Sequence, residues 1–190
     1  AVGLEGLAIS ERSYQAALGY SQERRQGRAV GAPVTESSLI IEHPDVRRML
    51  LSSKAYTEAM RALLMQTSYY LDLSHLTEGE ESERYHSYVE MLTPICKAWC
   101  SEWAVQVCHM CLQVYGGYGY TSEYPAEQYM RDSVIACIYE GTNGIQAMDL
   151  LGRKILRTKG QSVKWLYEEI MPVVDRVRNH PELGAYVPQV

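Results

Sequence analysis

The carboxylate with the most chemical promise is Glu140, preceded by Ile138 and Tyr139 and followed by Gly141. A carboxyl group among apolar neighbours loses hydration, so its pKa rises toward that of a working base. The same position also suits a plain helix-start acid, favoured by the dipole of the helix that follows; on spacing alone that is the commoner explanation. Upstream, Gly116, Gly117 and Gly119 cluster in one short run. Such glycines let a backbone approach a phosphate closely. No strand precedes them and their spacing is too short for a dinucleotide fingerprint, so alone they read as a helix-ending turn. Arg24, Arg25 and Arg28 offer guanidinium forks suited to a pyrophosphate, although a solvated basic helix end is the more ordinary reading.

Metal chemistry finds little support. Cys108 and Cys111 form a C-x-x-C, and Cys96 and Cys100 lie four apart. On one helix the two pairs are separated by roughly 12 Å of rise, too far to close a tetrahedral site. Glu83 and His86 supply half of a di-iron bundle motif, but no other histidine has a glutamate at the required offset. The cysteines therefore read as core residues. Their odd number, five, in a chain able to build its own core fits reduced thiols and a cytoplasmic setting.

Composition sets outer bounds. Hydrophobic residues make up 46% and charged residues 22%, as in soluble globular domains. A net charge of −5 argues against a nucleic-acid binder, and no apolar run approaches the ~18 residues that suggest a membrane span. The chain opens inside an apolar helical pattern without an initiator methionine, which reads as a piece excised from a longer protein.

The elements that must position these groups are helical. The spacing of Leu4, Leu7, Ala8, Tyr14 and Leu18 predicts a helix over 2–26, and Gly27 a stop. A long connection covers 28–43. Pro44 opens a second helix carrying Val46, Met49, Leu50, Ser53, Met60, Leu64, Thr67 and Leu71. The acidic stretch 74–84 reads as a solvated loop or frayed end. A third helix over 85–114 places Tyr88, Leu92, Ile95, Trp99, Trp103 and Met110 near the core, with Pro94 kinking it or delaying its start. A short helix follows from Pro125 to Arg131. Thr142 or Asn143 caps a fourth long helix through about 158, with Ile145, Met148, Leu151 and Ile155 inward. Lys159 and Gly160 break it before an amphipathic segment at 162–178 that contains Pro172. Four long helices and no credible strand predict an all-α antiparallel four-helix bundle.

Two linked stretches carry a family resemblance. Gln113 to Asp132 (QVYGGYGYTSEYPAEQYMRD) followed by Ile138 to Gln146 (IYEGTNGIQ) resembles the signature of the C-terminal helical domain of FAD-dependent acyl-CoA dehydrogenases, and YSQERR resembles the end of that domain's first helix. The segments ERRQGRA, IIEHPDVRRMLL and LLGRKI are most similar to the large subgroup that includes 3-methylthiopropionyl-CoA dehydrogenases. The resemblance implies a helical bundle over 1–159 and, at 160–190, the truncated start of an additional C-terminal helical segment.

The resemblance also implies roles. Glu140 falls on the base that removes the α-proton of an acyl-CoA thioester while a β-hydride passes to FAD. The Glu140 N–H would help polarise the thioester carbonyl. Tyr139 would line the acyl pocket, Gly141 would let the turn pass close to substrate, and Thr142 would contact FAD. Arg24 matches the arginine that reaches the FAD diphosphate of a neighbouring subunit, and Gln113, Gly116 and Gly117 match the loop holding its adenosine part. A homodimer or tetramer follows, with electron-transfer flavoprotein or a similar acceptor as redox partner. Gln26, Gly27 and Arg28 depart from the family's Phe-Gly, and Gly144 stands where a larger polar residue is frequent. The remaining domains supply most flavin and CoA contacts, so the 190 residues alone are expected to hold FAD weakly or not at all and to lack activity. The alternatives are an acyl-CoA oxidase and a non-catalytic helical-bundle interaction module.

Overall fold

A computed structural model describes residues 1–33 and 35–187. It is all-α. Among the described residues the only sheet-like pairing is an isolated bridge between Arg25 and Leu39. The chain forms α1 (Val2–Glu23), α2 (Pro44–Leu76), α3 (Gly79–Tyr115), α4 (Ala126–Ile135), α5 (Asn143–Met148) and α6 (Gln161–Arg178), with 3-10 turns at Ile40–Glu42, Gly116–Tyr120 and Gly184–Tyr186. Two compact units result: Ala1–Gln66 with Pro94–Ala147, and Thr67–Thr93 with the chain from Met148 onward.

In the first unit the buried face of α1 differs from the apolar stripe expected. Leu4 is 55% exposed and Ala8 is also exposed, whereas Gly3, Gly6, Ser10, Ser13, Ala17 and Ser21 are buried. Small residues at three- and four-residue spacing let two helix backbones approach, and that gain overrides the leucine periodicity. A β-carbon on Gly3 would stand 2.8 Å from the Cys96 carbonyl oxygen, and one on Gly6 would stand 2.7 Å from that of Cys100. Ser10 folds its hydroxyl back onto the Gly6 carbonyl at 2.7 Å, so a polar group is buried without an unmet bond. Around this contact pack Leu7, Ile40, Met49, Leu50, Met60, Val107 and Val114, with Tyr56 stacked on Trp103 at 3.6 Å between centroids.

The cysteines of α3 belong to this packing. Cys96, Cys100, Cys108 and Cys111 are buried thiols outside any disulfide. Burial pushes the Cys100 and Cys108 thiols up to about 12, which keeps them protonated and unreactive near neutral pH.

In the second unit, the segment 74–84 is largely helical rather than a loop. Only Thr77 and Glu78 separate α2 from α3. The acids that suggested solvation, Glu80 and Glu81, occupy the first turn of α3, where the dipole favours them. α3 runs through Pro94 as one helix. Buried Tyr88 packs on Tyr70, accepts a bond from Arg84 Nε at 2.6 Å and donates its hydroxyl to the Trp165 carbonyl at 2.9 Å. Beyond α5 the expected fourth long helix changes winding: Asp149–Ile155 is π-helical. Its predicted inward residues Met148 and Leu151 are exposed, at 74% and 59%. Lys159 and Gly160, at φ of 53° and 78°, end it where expected.

The α1–α3 contact makes a paired prediction. Gly6→Ala drives a methyl into the Cys100 carbonyl and should destabilise the first unit by about 1–3 kcal/mol in chemical unfolding. Gly19→Ala, on the same helix with nothing within 4 Å of the new methyl, should stabilise it by up to about 1 kcal/mol.

Candidate functional site

Two clusters of predicted site residues form within the first unit, and no hydrogen bond or ring contact joins them among the described residues. The first lies where α1 ends. Arg24 leaves the helix in an extended conformation, φ −73° and ψ 127°, and its carbonyl accepts from the Ile40 N–H at 2.9 Å. Its guanidinium rests on the Tyr118 ring, 5.1 Å from the centroid. The Arg24 Nε is buried without a hydrogen-bond partner. A pocket of about 330 Å³ beside it is lined by Arg24, Gln113 and Gly116, joining three of the sequence-assigned residues, and by Tyr20, Gln26 and His43. His43 Nε2 lies 2.8 Å from the Gln26 carbonyl; a carbonyl only accepts, so Nε2 carries the proton.

Tyr20, Tyr115, Tyr118 and Tyr124 pack the glycine turn against α1. Tyr20 and Tyr115 stack at 4.3 Å, Tyr124 meets both edge-on or tilted, and the Tyr115 hydroxyl donates to the Ala16 carbonyl at 3.0 Å. Burial pushes Tyr115 up to about 12. The three glycines have separate reasons. Gly116 takes φ +62° and ends α3; Gly119 is buried, with the Leu112 carbonyl where a side chain would begin. Gly117 has an ordinary backbone and open space around it, so nothing inside the chain requires its smallness.

The second cluster is the loop from α4 to α5. Glu140 and Gly141 take φ of 53° and 86°, and Glu140 is one of two non-glycine residues with positive φ among the described residues. That conformation costs a glutamate of order 1–3 kcal/mol, and the neighbours hold it. Gln146 reaches back to donate to the Glu140 and Gly141 carbonyls at 3.3 and 3.5 Å. The φ of +86° explains the glycine at 141, and a β-carbon there would also stand 2.8 Å from the movable Gln146 Nε2. Thr142 Oγ1 accepts from the Ile145 N–H at 3.3 Å and caps α5. Tyr139 donates its hydroxyl to the Glu5 carboxylate on α1.

Among the described residues nothing gives Glu140 the dry surroundings expected of it. Its side chain is exposed, because Ile138 and Tyr139 are themselves 56% and 37% exposed and give it little cover. Sequence reasoning missed Asn143 as more than a cap. Its side chain bonds Lys97, Ser101, Glu102 and the Ala98 carbonyl of α3. The legible signal was a lysine, a serine and an acid within six residues of α3. No group of three or more metal-ligating side chains converges among the described residues, and no helix there is long and apolar enough to cross a membrane.

The family description "Acyl-CoA dehydrogenase, C-terminal domain" matches residues 1–156. The chain belongs to that family. It is 45% identical over 170 residues to 3-methylmercaptopropionyl-CoA dehydrogenase of Ruegeria pomeroyi, covering 90% of this chain and 29% of that protein. It is 43% identical over 168 residues to butyryl-CoA dehydrogenase of Syntrophomonas wolfei, covering 87% of this chain and 28% of that one. The solved butyryl-CoA dehydrogenase of Megasphaera elsdenii superposes with a TM-score of 0.63 at 27% identity, over 80% of this chain and 34% of that one. The chain thus spans less than a third of the length of these sequence relatives.

The glycine turn gives a stability test. Gly119→Ala, meeting backbone at a buried position, should cost at least about 1–3 kcal/mol in thermal unfolding. Gly117→Ala should fall within about 0.5 kcal/mol of wild type.

Proposed function

We propose that the protein to which this chain contributes is an FAD-dependent acyl-CoA dehydrogenase acting in the cytoplasm as a homodimer or tetramer, with Glu140 as its base. The observation that carries this reading is the Glu140 turn. A non-glycine residue is held in a strained conformation by Gln146, with the Glu140 N–H free of acceptors among the described residues. Strain of this kind persists where surroundings over-determine it, and it clusters at sites of chemistry.

In the reaction the Glu140 carboxylate takes the α-proton of the thioester. The acidity of that C–H rises as the Glu140 N–H donates to the thioester carbonyl. Tyr139 would line the acyl pocket, and Gly141 would let the turn pass close to the substrate. Bound FAD supplies the acceptor for the β-hydride. Cover for the exposed carboxylate would come from the rest of the protein.

Features of this chain fit the cofactor. The buried, unpartnered Arg24 Nε is a donor in want of an anion, and Arg24 would hold the diphosphate of a partner subunit's FAD. Gln113, Gly116 and the unobstructed Gly117 would receive the adenosine side of FAD, and Thr142 would contact the cofactor. Electron-transfer flavoprotein or a similar acceptor reoxidises the enzyme. Peroxide release under oxygen would mark the oxidase chemistry instead.

Glu140→Gln in the full-length enzyme should lower kcat by about 10²–10⁴-fold while flavin absorbance stays at the wild-type level. Turnover of an acyl-CoA with an artificial electron acceptor measures this, and an unchanged rate removes the base assignment.

A further inference from the structure

The loop bearing Glu140 is anchored to α3 by groups that the proton transfer itself does not use. Three residues past Glu140, the Asn143 carboxamide lies across one side of α3. Its Oδ1 accepts from Lys97 Nζ and from Ser101 Oγ, each at 3.0 Å. Its Nδ2 donates to Glu102 Oε2 at 3.1 Å and to the Ala98 carbonyl at 3.4 Å. Lys97, Ala98, Ser101 and Glu102 are spaced one, four and five residues apart, which brings all four to one face of the helix. The Asn143 N–H closes the loop from the other side, donating to the Cys137 carbonyl at 3.2 Å.

Lys97 is the unusual member. It is 7% exposed, and its recorded side-chain bond goes to a neutral amide rather than to an acid. Burial pushes its pKa down, partly offset by Cys137. A buried ammonium without a carboxylate partner is costly for the fold, so stability alone does not account for it. Such a network does fix one geometry, because each member loses a bond in any other arrangement. Between Asn143 and Glu140 lie only Gly141 and Thr142, with Gly141 at φ +86°. The place of the base is therefore set by the Gln146 bonds at one end and the Asn143 anchor at the other.

We infer that Lys97 and Asn143 are positioning residues for Glu140: the Lys97 ammonium and Ser101 hydroxyl orient the Asn143 carboxamide, which holds the Glu140–Gly141 turn at a fixed place on α3. This rests on the base assignment proposed above. Proton transfer from carbon requires the reacting atoms close and aligned, so a displacement of about an ångström lowers kcat steeply while substrate affinity changes little.

The test uses the full-length, flavin-loaded enzyme. Asn143→Asp keeps an acceptor for Lys97 and Ser101 but sets a carboxylate against Glu102. It should lower kcat on the order of tenfold or more, with KM and flavin content near wild type. Adding Glu102→Gln reverses the direction of that bond and should recover most of the lost kcat, the non-additivity expected of groups in one network. Lys97→Met, which keeps the stem and removes the charge, should show the same fall in kcat and covers the case in which the Asp variant does not fold. A wild-type kcat in the single variants, or a double variant no faster than Asn143→Asp, overturns the inference. Glu140→Gln measured alongside separates the two ideas: persistent turnover there rejects the base, whereas its loss beside an unaffected Asn143→Asp rejects only the positioning role.

Discussion

Everything at the candidate site depends on how closely α1 lies on α3. Gly3 and Gly6 bring the α1 backbone against the Cys96 and Cys100 carbonyls, at a separation that leaves no room for a methyl group. That contact sets the register of two clusters at once. One residue before Gly6, Glu5 meets Tyr139 beside the acidic loop. Further along α1, Ala16 and Tyr20 receive Tyr115, and Arg24 reaches the glycine turn. Interiors are close-packed and transmit small displacements, so a shift at Gly6 would move both ends of the helix relative to α3.

The two clusters are built on opposite principles. The glycine turn is held mainly by aromatic packing, with tyrosine rings around it and one hydroxyl tied to α1. The acidic loop has little apolar cover and is held by polar bonds from Gln146 and Asn143. Packing leaves the first cluster rigid and half-shielded. Hydrogen bonding leaves the second precise in backbone position yet open to solvent at the Glu140 side chain.

The sequence made the helices and the two motifs legible because apolar periodicity and turn glycines are local signals. It caught part of α1: Leu7, Tyr14 and Leu18 of the expected stripe pack on the core, but Leu4 and Ala8 face outward and Gly3, Gly6, Ser10 and Ala17 make the close contact, because backbone approach depends on the partner helix and leaves no periodic hydrophobic mark. It misread 74–84 because acids at a helix start look like a solvated loop until the helix is seen. The surroundings of Glu140 were expected to be dry from its neighbours in sequence, yet Ile138 turns outward. Asn143 escaped notice since its bonds reach α3 some forty residues away, a separation at which no local pattern operates.

Arg24 has one further property. Its positive charge is cushioned on the Tyr118 ring, and no carboxylate forms an ion pair with it among the described residues. An anion arriving there displaces no resident acid, so the attraction is not diminished by breaking an existing pair. What opposes the encounter is instead the surrounding electrolyte, whose ions compete for the same charge. An anion held at this corner would accordingly bind less tightly as ionic strength rises, with the Tyr118 ring beneath the guanidinium.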